Sequence, residues 1–161
     1  HTSALDLSEQ AAILNLLDNL QNDHRTEYLL ITHHIGEERY LSHRIDVTYL
    51  VINKENASND DIFSEVNHPY SEALLSAVPS VDGEAENRIP LTGVIPSPAN
   101  PPSGCVFHSS CLRVVEGLCE VTEPEMVELS PGHSIKCHLT VEQLSTPVEI
   151  TPSDRLAELA D

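Results

Sequence analysis

A chain of 161 residues is long enough for one domain with a real core, or for a partial domain with an appendage. It is 40% hydrophobic but only 4% aromatic, so any core is aliphatic, and no apolar run is long enough to make a transmembrane helix. With 26 acidic residues against 8 basic ones, the formal net charge of -18 repels phosphate backbones and anionic lipid, which argues against direct nucleic-acid or membrane-surface binding.

Lysine is confined to Lys54 and Lys136, and the acids are spread along the chain instead of forming one tail. That pattern fits a protein adapted to high internal salt, whose stability falls when salt is removed. No basic segment followed by an apolar one points to secretion, so a reducing cytosol is the expected compartment.

In chain order, Ile13, Leu16, Leu17 and Leu20 recur at helical spacing, with Asn15, Asp18, Asn19 and Gln21 on the other faces. Asp6 followed by Glu9 reads as a capping box that starts this helix. After a polar connection from Asn22 to Glu27, the run Tyr28-Leu29-Leu30-Ile31-Thr32 predicts a buried strand of an α/β sheet. Ligands of open α/β sheets bind at the carboxyl ends of strands, where His33 would stand. A histidine there can donate to a phosphate oxygen or help position an attacking water, or it can be purely structural.

Residues 35–44 predict a short charged helix, Ile45–Leu50 a strand, and Val51–Ala57 its partner or the turn out of it. Residues 68–79 predict a helix entered through Pro69 and stopped before Pro79, with His68 packed at its entrance. From Ser80 to Gly104 five prolines, at 90, 96, 98, 101 and 102, predict an extended connector that carries the cysteine-bearing stretch away from the sheet. Ser153-Asp154 can cap a last short helix in an otherwise polar tail.

Beyond the connector stand Cys105, Cys111, Cys119 and Cys137, every cysteine of the chain, spaced C-x5-C-x7-C-x17-C and accompanied by His108, His133 and His138. In a reducing compartment clustered thiols more often bind metal than pair. Neither short interval fits the tight C-x2-4-C knuckle of structural zinc. The four corners of an iron–sulfur cubane tolerate wider, irregular spacing. Zinc with a histidine ligand, two disulfides, or four ordinary buried thiols remain alternatives.

Three stretches carry a family resemblance. RIPLTGVIPSPANPPSGCVFHSSC with Cys119, Pro124 and PGHSIKCHL resembles the C-terminal extension of the ATP-binding subunits of oligopeptide and dipeptide ABC importers, and so does HPYSEALLSAVP. SALDLSEQAAILNLL followed by YLLITHH is similar to the segment of ABC ATPases after the Walker B strand. The resemblance covers roughly residues 2–139. It implies a partial ABC-type nucleotide-binding domain of the α/β class over 1–79, the importer-type extension with its irregular Pro-rich, four-cysteine module over 80–139, and a polar tail over 140–161.

It further implies that Ser3 and Asp6 belong to the D-loop at the ATPase dimer interface, that His33 is the switch histidine contacting the γ-phosphate, and that Cys105, Cys111, Cys119 and Cys137 ligate a [4Fe-4S] cluster, with zinc as the alternative. ATP and Mg²⁺ are the implied cofactors of the parent family. Transmembrane subunits of a peptide importer, a second ATP-binding subunit and an N-terminal half are the implied partners, at the cytoplasmic face of the membrane. The chain departs from the family pattern at His34, where Asp is usual, at Ser110 and Leu112 around the second cysteine, and at Val51, Ala57 and Ser58, where Gly and Pro normally build a hairpin. Their loss predicts a distorted or weakly paired hairpin.

Neither lysine sits in a G-x-x-x-x-G-K-[ST] phosphate loop, and the ABC signature, Q-loop and Walker B carboxylates are not in the sequence. The chain is therefore expected to be a C-terminal fragment with no turnover of its own, since phosphoryl transfer depends on positioning and electrostatics that one histidine cannot supply. A stand-alone iron–sulfur or zinc module with no ATPase role is the competing reading.

Overall fold

The computed structural model describes residues 7–33, 35–64, 66–78, 88–91, 93, 95–148 and 150. The chain divides into two compact units, residues 1–43 and 44–161.

In the first unit, helix α1 (Leu7–His24) leads into extended chain and then helix α2 (Ile35–Leu41). The Tyr40 hydroxyl donates to Asn15 Oδ1 at 2.8 Å, tying the two helices together. The strand expected at Tyr28–Thr32 does not form: these residues are coil, and Leu29 and Ile31 are 92% and 89% exposed. A strand exists only by pairing, and none of the described strands pairs with this run.

The second unit is built on a four-stranded antiparallel sheet in the order β1-β2-β4-β3, from β1 (Arg44–Tyr49), β2 (Ile52–Ser58), β3 (Met126–Ser130) and β4 (His133–Lys136). Every pair in this sheet is antiparallel: the hairpins β1–β2 and β3–β4, joined by β2 against β4. The β1–β2 hairpin is paired along its whole length, from Arg44 opposite Ser58 to Tyr49 opposite Ile52, and is not weak. It is distorted as expected, because Leu50 and Val51 take φ of 47° and 67° in the turn. Two left-handed residues make the primed turn that suits a hairpin, here without the glycine that adopts it freely. For a β-branched residue this conformation is an outlier, and Val51 is 88% exposed, so packing does not compensate it.

The β3–β4 hairpin turns through Pro131-Gly132, with Gly132 at φ 82°. Proline followed by a left-handed glycine is the signature of a type II turn. Strand β4 then pairs with β2, Glu55 opposite Ile135 and Asn56 opposite Ser134. This corrects the expectation that the connector carries the cysteine stretch away from the sheet: the end of that stretch is itself a sheet strand.

Short helices complete the unit. Helix α3 (Asn59–Ile62) is capped by Ser58, whose hydroxyl accepts from the Asp61 N–H. Helix α4 (Pro69–Ser76) has proline in its first turn and is capped by His68. Helix α5 (Val141–Leu144) begins with a reciprocal capping box between Thr140 and Gln143. The core has two parts: Ile45, Ala57 and Ile62 with Leu75 packed beside them, and Tyr49, Cys105, Val106, Phe107 and Cys119. Phe107 meets the Tyr49 and Tyr70 rings at centroid distances of 5.3 and 5.2 Å, and Tyr49 meets Tyr70 edge-on at 5.0 Å. Three of the six aromatic residues thus meet where the cysteine stretch joins the hairpin.

Candidate functional site: a four-thiol group over a buried polar cluster

The loop bearing the first three cysteines is held by its own backbone. Cys105 N–H donates to the Cys119 carbonyl at 2.8 Å, and the Ser103 hydroxyl to the Glu120 carbonyl at 2.7 Å, so 103–105 runs along 119–120. This approach needs Gly104, where φ is 67° and an added Cβ would lie 2.3 Å from the Cys119 carbonyl oxygen. A single 3₁₀ turn, His108–Ser110, then delivers Cys111, and successive turn hydrogen bonds from Val114 to Cys111 and from Cys119 to Val115 close the loop. Arg113 fastens it outward, donating to Glu72 Oε1 on α4 at 2.9 Å and to the Gln143 carbonyl on α5 at 2.6 Å. Burial raises the Glu72 carboxyl pKa, which the Arg113 guanidinium partly offsets.

All four cysteines are free thiols, Cys105 and Cys119 buried, Cys111 and Cys137 half-buried. They form one electrostatic group. The Cys111 thiol is pushed up to about 12, first by burial and then by Cys137, Cys105 and Cys119, against a lowering hydrogen bond from the Arg113 backbone. Burial also raises Cys137, as do Cys105 and Cys119, while the Leu139 and His138 backbone amides lower it. The Val115 N–H donates to Cys119 Sγ at 3.4 Å.

Three sulfurs therefore receive backbone N–H dipoles, the arrangement that favours thiolate over thiol. Burial outweighs those dipoles and favours the neutral thiol at Cys111 and Cys137. Among the described residues no group of three or more His, Cys, Asp or Glu side chains is placed to hold a metal, whether a cluster or a zinc ion. The histidines of the stretch are otherwise engaged. A ring nitrogen of His108 meets the Cys105 carbonyl at 2.8 Å, His138 the Thr122 carbonyl at 2.9 Å, and His133 the Glu55 carboxylate at 2.7 Å.

A buried polar cluster that the sequence did not announce joins β2, β4 and the start of α4. Glu55, on β2 and fully buried, accepts at Oε1 from His133 Nε2 on β4 and at Oε2 from the His68 backbone N–H at 3.1 Å. His68 Nδ1 accepts from Tyr70 N–H at 3.0 Å, which places the ring proton of the neutral form on Nε2. Burial lowers the His68 pKa to about 3, and the nearby Lys54 charge adds to the shift. His68 Nε2 makes no hydrogen bond, although the Lys136 carbonyl is near enough to favour the protonated ring. Two consecutive charges, Lys54 and Glu55, in the middle of an otherwise ordinary hairpin strand were the signal available for this cluster.

Of the other residues singled out, His33 is exposed at the end of the first unit's coil, and Ser3 and Asp6 lie outside the described residues, as does the expected capping box at Asp6. The expected helix after Ser153-Asp154 also lies outside them. Among the described residues no helix is long and apolar enough to cross a membrane.

Residues 55–119 match the family model described as the C-terminal region of oligopeptide/dipeptide transporters, a span that starts at Glu55 and ends at Cys119. The chain is 41% identical over 140 residues to the oligopeptide transport ATP-binding protein AppF of Bacillus subtilis, an alignment covering 85% of this chain and 42% of that protein. It is 45% identical over 136 residues to a putative peptide import ATP-binding protein of Brucella ovis, covering 84% and 43%. To a probable peptide ABC transporter ATP-binding protein of Sinorhizobium fredii it is 40% identical over 159 residues, covering 98% and 44%. The chain spans less than half the length of these relatives. With the HPY run capping α4 and the thiol-bearing loop both inside the matched region, the chain belongs to the family of peptide-import ABC ATP-binding proteins and corresponds to their C-terminal part.

Proposed function

We propose that this chain serves the ATP-binding subunit of an ABC importer of oligopeptides or dipeptides, where ATP binding and hydrolysis with Mg²⁺ drive peptide uptake. The observation that carries this reading is similarity to peptide-import ATP-binding proteins running through nearly the whole chain, from the SALD run to the four-thiol loop. In this reading residues 1–79 contribute the D-loop, through Ser3 and Asp6, and the switch histidine His33. Residues 80–139 are the importer-type extension, and residues 140–161 a polar tail. The phosphate loop, Mg²⁺ ligands and general base come from sequence outside this chain, and the partners are transmembrane subunits and a second ATP-binding subunit at the inner face of the cell membrane.

The four thiols of Cys105, Cys111, Cys119 and Cys137 are assigned a [4Fe-4S] cluster as a structural or electron-storing centre of that subunit. The packing of Cys105, Cys111 and Cys119 in one cluster and the N–H groups aimed at Cys111, Cys119 and Cys137 are the observations behind this reading, with zinc as the alternative. The stand-alone metal module gains no support from relatives named as ATP-binding proteins.

A chimera in which this chain replaces the corresponding part of the Bacillus subtilis relative tests the proposal. Peptide-dependent ATP hydrolysis is expected in the reconstituted importer and is expected to fall by two orders of magnitude or more in His33→Ala, as for loss of one oriented transition-state donor, roughly 10²–10³. An assembled, ATP-hydrolysing chimera indifferent to His33→Ala would remove that residue from the site.

A further inference from the structure

Two of the four cysteines meet at the base of the loop they delimit. Cys105 donates its backbone N–H to the Cys119 carbonyl at 2.8 Å, and the Ser103 hydroxyl donates to the Glu120 carbonyl at 2.7 Å. Between them Gly104 passes so close that an added Cβ would stand 2.3 Å from the Cys119 carbonyl oxygen and 2.9 Å from the Val121 nitrogen. Residues 103–105 and 119–121 are therefore in backbone contact before any side chain is considered.

In antiparallel pairs, residues joined through their backbones in this way have Cα atoms about 5.5 Å apart. A disulfide spans Cα separations of roughly 4.4–6.8 Å. The backbone thus supplies, at this pair of cysteines, the separation that an S–S bond needs. Their side chains keep the same company: both thiols are free, both are buried, and both belong to one apolar cluster with Tyr49, Val106 and Phe107. Cys111 packs only against the outside of that cluster, with its N–H taken by the His108 carbonyl, and Cys137 stands just past the end of β4.

Joining two sulfurs across a loop normally costs the entropy of closing it. Here the hydrogen bonds of Cys105 and Ser103 have closed the loop beforehand, so the two sulfurs are held at close range.

We propose that Cys105 and Cys119 form a site of reversible covalent modification, a dithiol that hydrogen peroxide converts to a disulfide across the base of the loop. One sulfur attacks the O–O bond and becomes a sulfenic acid with release of water, and the other sulfur displaces its hydroxyl as a second water. Two thiols and one peroxide give one disulfide and two waters: the sulfurs are oxidised and the peroxide oxygens reduced. Cys105 and Cys119 are 7% and 8% exposed, so the oxidant must be small, which selects peroxide over protein disulfides. Small thiols return the pair to its open form by exchange. The bond fastens the segment that seats Phe107 against Tyr49 and Tyr70. This is a property of the metal-free chain and separate from the cluster reading, since sulfurs bound to iron are not available to pair.

The test uses the full chain, reduced, stripped of metal with a chelator under anaerobic conditions, and checked for iron and zinc. It is then given one equivalent of hydrogen peroxide, alkylated, digested and mapped by mass spectrometry. The expected product is one intramolecular disulfide joining Cys105 to Cys119, with Cys111 and Cys137 alkylated, reversed by dithiothreitol. It should form at least about tenfold faster in the native chain than in the chain unfolded in urea. The double variant Cys111→Ser with Cys137→Ser should form it at the wild-type rate.

A dominant bond through Cys111 or Cys137, oxidation to sulfinic acid with no bond, or a Cys105–Cys119 bond that forms no faster in the native chain than in urea overturns the proposal. Should chelation cost the wild type its native circular dichroism, the double variant, purified without metal, decides by the same mapping and the same ratio of rates.

Discussion

The two units of this chain differ in what their apolar residues have to pack against. In residues 44–161 every described strand is paired, and side chains as different as Phe107, Ile135, Glu55 and His68 are removed from water. In residues 1–43 no residue whose exposure is described reaches that state, and Leu16, Leu29 and Ile31 lie open. Hydrophobicity alone does not explain the contrast, since YLLIT is among the most apolar runs in the chain. The hairpins of the second unit find their partners within a few residues, or through β4. A single strand of an α/β sheet has partners only in other parts of the sequence. Local pairing makes an element self-sufficient, and non-local pairing leaves it waiting.

The sharpest way to break this contrast is to remove the side chain that joins the cysteine loop to the hairpin. Phe107→Ala is expected to destabilise the second unit by about 3–5 kcal/mol, as for other buried aromatic truncations. Hydrogen exchange should show the loss in β1, β2 and β4 and leave α1 unchanged. Equal loss in both units would mean that they fold as one.

Acid offers an effect of similar size through His68. Its folded pKa is about 3 against 6.5 for the free side chain, so the unfolded chain takes up a proton that the folded chain refuses across that window. Stability is therefore full above about pH 6.5 and falls as pH drops toward 3, by up to roughly 1.4 kcal/mol per pH unit. In His68→Asn, which keeps an N-cap acceptor for Tyr70, the pH slope of the second unit's unfolding free energy should decrease by about one proton. An unchanged slope would show that another group carries the acid sensitivity.

The smallest change sharpens the comparison in the other direction. Val51→Gly relieves a left-handed β-branched residue in an exposed turn and is expected to raise the stability of the second unit by about 1 kcal/mol, the typical strain less the entropy of glycine. Denaturant unfolding is enough to measure it. Destabilisation would mean that the Val51 side chain contributes to the hairpin despite its exposure.

Much of this was readable from residue order, wherever the controlling interactions are local. Pro69 after His68 marked the start of α4, and the 3.6-residue recurrence from Ile13 to Leu20 marked α1. The Pro131-Gly132 turn and the Thr140–Gln143 box are equally local signals for β3, β4 and α5, although apolar periodicity does not register them. Tyr28–Thr32 was misread because apolar β-rich composition reports a readiness to pair but not the presence of a partner. The four thiols were legible as a group because they are the only cysteines, whereas Lys54, Glu55 and His133 were not.

By itself the sequence determined the membership of this chain in its family, the short helices and turns, and the identity of the thiol group, because each depends on nearby residues or on residue type. Tertiary structure alone decided that β4 returns to pair with β2, that a bulge buries Lys54 beside Glu55, and that Gly104 must lack a side chain where it crosses Cys119. Those outcomes depend on distant segments meeting at one register, and no local pattern carries the free energy of a contact across 78 residues such as the one between Glu55 and His133.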